Sequence, residues 1–118
     1  MYQTEFGRLL REKRKKYGKT QEQIAAFMGK NKMLISGMET GKNNPPKGED
    51  LIKMIEALGL EEKEILEFKN KAAFERSTLP DEIIKMIKED ERVIEILYQI
   101  NDKGLTNETF KKIKEIIY

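Results

Sequence analysis

Apolar residues along this chain recur at helical intervals and nowhere alternate in the two-residue rhythm of a strand. Phe6, Leu9, Leu10 and Tyr17 fall near helical spacing inside a charged stretch, which predicts an amphipathic helix from Thr4 to Tyr17 ending at Gly18. Thr20 and Gln23 have the spacing of a capping box, in which the hydroxyl takes a backbone amide and the Gln side chain reaches back. A second helix, Gln21 to Met28, follows and buries Ile24, Ala25 and either Met28 or Phe27. Only Gly29 and Lys30 separate it from Asn31, a good N-cap, where a third helix begins. Ile35 and Met38 give that helix an inward stripe, and Gly41 stands where a helix-ending glycine belongs.

The run KNNPPKG breaks the pattern, because two consecutive prolines fix the backbone and remove amide donors. A fourth helix is expected from about Glu49 to Leu58, and a fifth from near Glu61 through Phe68 to Phe74, its acidic start complementing the helix N-terminus. Beyond RSTLP the periodicity stays helical. One segment carries Ile83, Ile84, Met86 and Ile87, a second carries Val93, Ile94, Leu97, Tyr98 and Ile100, and a third follows a Thr106 cap with Phe110, Ile113 and Ile117 on one side. With no tandem repeat and no low-complexity tract, the chain reads as all-α.

Composition narrows the chemistry. Cysteine and histidine are both absent, which removes disulfides, thiolate nucleophiles, imidazole bases and the usual zinc ligands together. No acid pair stands in a setting suited to catalysis, so neither an enzyme, nor a metal site, nor a cofactor, nor a small-molecule substrate is expected. The start, MYQTEFGRLL, lacks the apolar run of a signal peptide, and no stretch approaches the roughly 20 apolar residues that span a bilayer. A cytoplasmic protein without membrane contact is the expectation.

Net charge is +2, but it is unevenly spread: residues 1–60 sum to +5 and residues 61–118 to −3. A basic front half and an acidic back half suggest that the front meets a polyanion, although solvated lysine faces explain the charge equally well.

Two short helices joined by a tight glycine turn, with a basic helix ahead and a helix behind, have the layout of a helix-turn-helix domain. The residues QEQIAAFMGKNKMLISGMETGKNNP, from Gln21 to Pro45, sharpen this. Thr20-Gln21, Ala25, Gly29, Ile35-Ser36, Met38-Glu39 and Gly41-Lys42 leading to Asn44-Pro45 resemble the phage repressor and Cro-type helix-turn-helix family, also called the XRE family. EALGLEEKEILEF, Glu56 to Phe68, is similar to the family's closing helices, so the resemblance covers about residues 3–68. It implies a five-helix repressor-type domain over residues 1–70 and a short C-terminal helical segment over 71–118.

The resemblance also implies roles. Gln21, at the first turn of the second helix, would hold a DNA phosphate and brace the reading helix, its amide donation aided by the positive helix end. Lys32, Met33, Ser36 and Gly37 match the family's reading positions on the helix that enters the major groove. Lys32 suits either guanine acceptors or a phosphate, and Ser36 either base or backbone. Lys42, Asn43 and Asn44 occupy the following loop, where short polar groups can meet the phosphate backbone. Arg14 and Glu39 match a partly buried ion pair between the first and third helices, a role suited to the planar guanidinium fork.

Three features depart from a simple reading helix. Met33 and Leu34 are apolar, and Gly37 sits mid-helix. They can contact thymine methyls and allow close approach to DNA, or simply pack, or form an apolar patch for a protein partner. Lys30 stands where the family usually has a branched apolar residue, and its alkyl stem can substitute while its ammonium reaches water or phosphate.

A single helix-turn-helix reads few base pairs, so a homodimer on double-stranded DNA is expected, with residues 79–118 either supplying the interface or covering the DNA-binding module. The expectation is a sequence-specific DNA-binding transcriptional regulator, a repressor acting by operator occupancy. The alternative is a protein-interaction module on the same fold, such as an antirepressor or antitoxin-like partner.

Overall fold

A computed structural model describes residues 4–118; the first three residues, where the N-terminal reading begins, lie outside it. The described residues form α1 (Glu5–Lys16), α2 (Gln21–Met28), α3 (Lys32–Thr40), α4 (Gly48–Leu58), α5 (Glu62–Glu75), α6 (Asp81–Glu89), α7 (Glu91–Lys103) and α8 (Asn107–Ile117), with no strand among them. Local chemistry sets most helix starts. The Thr4 hydroxyl accepts from the Gly7 amide at 2.9 Å, and Thr20 and Gln23 complete a reciprocal capping box at 3.0 and 2.8 Å. Asn31 accepts from the Met33 amide at 2.6 Å. Gly29, Gly41 and Gly59 close α2, α3 and α4 in the left-handed conformation.

The chain divides into two compact units, Met1–Asp81 and Glu82–Tyr118. In the first, α2 packs on α3 and α4 while α1 packs on α3 and α5. Phe6, Leu10, Ile24, Ile35, Met54, Leu58 and Phe68 are the largest fully buried side chains, and the Phe6 and Phe68 rings meet with centroids 5.0 Å apart. Met28, not Phe27, faces this core: Met28 is buried and Phe27 exposed. Glycine is required at position 7 by close approach. A Cβ there would lie 2.5 Å from the Glu39 carbonyl oxygen and 2.7 Å from that of Met38, so α1 crosses the end of α3 almost backbone to backbone. The first unit runs to Asp81. Helix α5 continues to Glu75, and Ala72 and Ala73 bury on its inner face.

The second unit is different in kind. Its helices α6, α7 and α8 each carry an apolar stripe, yet none contains a buried residue. Met86, Ile96, Leu97, Tyr98, Phe110 and Ile117 are all exposed.

Candidate nucleic-acid interface

The turn between α2 and α3 is closed by backbone donation from Lys30 to Ala25 (2.8 Å) and from Gly29 to Ala26 (3.2 Å), a left-handed closure that reverses the chain within two residues. Lys30, the departure from the family pattern, places its ammonium 3.5 Å from the Asp50 carboxylate, tying the turn to α4.

Helix α3 then has two unlike faces. Ile35, Met38 and Glu39 are buried, and Leu34 is half-buried against the same core. The opposite face opens outward at the N-terminal turn, where Lys32 and Met33 are exposed, Met33 at 77%, and Ser36 is half-buried. Leu34 therefore packs inward whereas Met33 does not. No acidic residue lies in this first turn, so the positive helix end and Lys32 add. Lys32 lies 3.9 Å from Glu22 on α2, a solvent-exposed pair worth at most about 1 kcal/mol and so easily exchanged for another anion. Gln21 is half-buried at the start of α2.

Gly37, expected among the DNA-contacting positions, lies against the loop that follows α3. Gly37 is buried, and the three atoms nearest an added Cβ all belong to Asn43, the closest at 2.0 Å. The missing side chain makes room for the loop. Asn43 lies across α3, its backbone amide donating to the Gly37 carbonyl at 3.0 Å and its side-chain amide to the Leu34 carbonyl at 3.4 Å. The Asn43 side chain thus holds the loop against the helix, while Lys42 and Asn44 on either side are exposed.

Behind this surface, Arg14 grips Glu39 through two parallel bonds, Nε at 2.7 Å and Nη2 at 3.1 Å, and donates through Nη1 to the Lys19 carbonyl at 3.1 Å. The bond to Glu39 raises the Arg14 pKa above its ordinary value. A second cluster escaped the sequence reading. Glu64 on α5 accepts from Lys13 at 2.6 Å, from Lys16 at 3.0 Å and from the Tyr17 hydroxyl, and reaches back to the Glu61 amide at 3.0 Å. These bonds, Lys13 foremost, hold the Glu64 carboxyl far below the usual carboxylate range, and the same contact pushes the Tyr17 phenol up. Lys13 and Lys16 therefore serve packing of α1 on α5.

Among the described residues no group of three or more acidic, His or Cys side chains is placed to hold a metal ion, and no helix is long and apolar enough to cross a membrane.

Residues 10–65 match the helix-turn-helix family model HTH_3. Among solved structures the chain is similar to the restriction-modification controller protein C.AhdI from Aeromonas hydrophila, with 33% identity over 51% of this chain and 89% of that one, and a TM-score of 0.45. No match was found among curated proteins. With α2, its glycine turn and α3 lying wholly inside the matched segment, this chain belongs to the XRE-type helix-turn-helix family of DNA-binding regulators.

Proposed function

We propose that this protein is a cytoplasmic, sequence-specific transcriptional repressor that binds double-stranded DNA as a homodimer and acts by occupying an operator. The observation that carries the reading is the split character of α3, whose N-terminal turn presents Lys32 and Met33 to solvent while Ile35 and Met38 anchor the same helix in the core. A rod held on one side and bare at its positive end suits insertion into the major groove. Lys32 donates to guanine or phosphate oxygens, Met33 meets a thymine methyl, Ser36 follows one turn on, and Gln21, Lys42 and Asn44 take phosphates on either side. Asn43 holds the loop in register, and Gly37 admits it.

The homodimer reading is supported by α6, α7 and α8. Three amphipathic helices that bury nothing of their own call for an apolar partner, and a second copy of the same segment supplies one with two-fold symmetry.

Selection of bound sequences from randomised DNA tests the reading. A two-fold symmetric motif with half-sites about one helical turn apart is expected; no enrichment, together with negligible binding to random DNA at low and moderate salt, would favour the protein-interaction alternative. Replacing Gln21 and Lys32 together by Ala is expected to weaken binding roughly 10- to 100-fold and to flatten the salt dependence by about one ion, with the melting temperature unchanged. Unaltered affinity would remove the site assignment.

A further inference from the structure

The loop that follows α3 is held at a second point, from a distant part of the chain. Arg76, the residue that caps α5, donates through Nη1 to the Pro45 carbonyl at 3.1 Å, across 31 residues of sequence. Pro45 and Pro46 are buried, and neither has an amide with which to tie itself down, so an outside donor to a proline carbonyl is the direct way to fix this segment. The donor is itself fixed. Thr78 and Ser77 donate back to Ala73 and Phe74 at 2.9 and 3.0 Å, with Ser77 at φ 58°, the single non-glycine in the left-handed region among the described residues. Arg76 is thereby set in a closed helix end rather than on a fraying one.

We propose that Arg76 is a positioning residue for DNA binding: with the Asn43 clip on Gly37, it pre-sets the loop so that Lys42 and Asn44 meet phosphate without ordering cost. The proposal rests on the DNA reading above. It is distinct from direct contact, because the Arg76 donor faces the protein's own carbonyl. Pre-organised loops bind more tightly because less conformational freedom is lost on association.

The full chain carrying Arg76→Met keeps the aliphatic stem and removes the donor. In the free protein, amide chemical shifts and hydrogen exchange at Lys42, Asn43 and Asn44 are expected to change, while those of α2 stay put. Affinity for the selected operator is expected to fall about tenfold, and Arg76→Lys, which restores a donor, to recover most of it. In a double-mutant cycle the loss should largely vanish when Lys42 is already Ala, because both changes act through one loop. Unmoved loop amides, or effects of Arg76→Met and Lys42→Ala that simply add, would overturn the proposal, the latter marking Arg76 as an independent phosphate contact. Should the unaltered chain select no DNA, the proposal falls with the reading beneath it, and the loop amides, measured without DNA, tell that failure from a failure of the Arg76 bond to order the loop.

Discussion

At the residue scale, the ionic groups that matter most for the fold are the shielded ones that join α1 to α3 and to α5. Arg14 spends its guanidinium on Glu39 and on the Lys19 carbonyl, and both partners of the pair are largely shielded, with side-chain exposures of 14% and 6%. Removing one member leaves the other charge uncompensated in a poorly solvated place, so Arg14→Ala is expected to cost about 3 kcal/mol in a denaturant titration. DNA affinity measured well below the melting temperature should change little. Glu64 offers a pH signature. Its carboxyl is held ionised in the folded chain by Lys13, Tyr17 and the Glu61 amide. A depressed folded pKa means that the contribution is full above the unfolded value of about 4.3 and is lost as pH falls below it. Melting temperature should therefore decline on acidification, and the gap between the natural chain and Glu64→Gln should be widest near neutrality and narrow below about pH 4. A gap independent of pH would assign Glu64 a purely steric role.

At the scale of elements, the surprise is the glycine in the middle of α3. Exchanging a helical glycine for alanine ordinarily gains about 1 kcal/mol. Here the gain is opposed by displacement of Asn43, whose side-chain amide would stand 2.0 Å from the new methyl, and by loss of its bond to Leu34, worth about 0.5–1 kcal/mol. The obstructing atoms are the end of a side chain, which can swing aside. Gly37→Ala should then melt within about 0.5 kcal/mol of the natural chain, while its operator affinity falls through the dislodged loop. Thermal melts beside DNA titrations separate the two effects. The sequence places α2, the turn and α3 almost to the residue, because Thr20, Gly29, Asn31 and Gly41 are local signals read by the nearest backbone amides and carbonyls. What Gly37 is for depends on a loop six residues away, which no helical periodicity encodes.

For the whole molecule, every buried hydrophobic residue among those described lies between Phe6 and Ala73, inside the first unit. The core of the helix-turn-helix domain is therefore complete without α6 to α8. Ending the chain at Asp81 is expected to leave a cooperative unfolding transition within about 1 kcal/mol of the original. On the homodimer proposed above, the truncated chain should sediment as a monomer and bind a two-half-site operator far more weakly, since linked half-sites gain from high effective concentration. A truncated chain that remains a dimer would place the interface elsewhere.

The chain's own order of residues determined the all-helical class, the caps, the glycine turn and the inward stripe of Ile35 and Met38, since each follows from interactions within a few residues. Tertiary structure alone decided which neighbours share charge and space. It put Glu64 under Lys13 and Tyr17, let α1 cross α3 at Gly7, turned Leu34 inward and Met33 out, and brought Arg76 to the Pro45 carbonyl. The physical reason is one of range: capping and amphipathicity act over one or two helical turns, whereas these pairings join residues brought together only when five helices close on a common core.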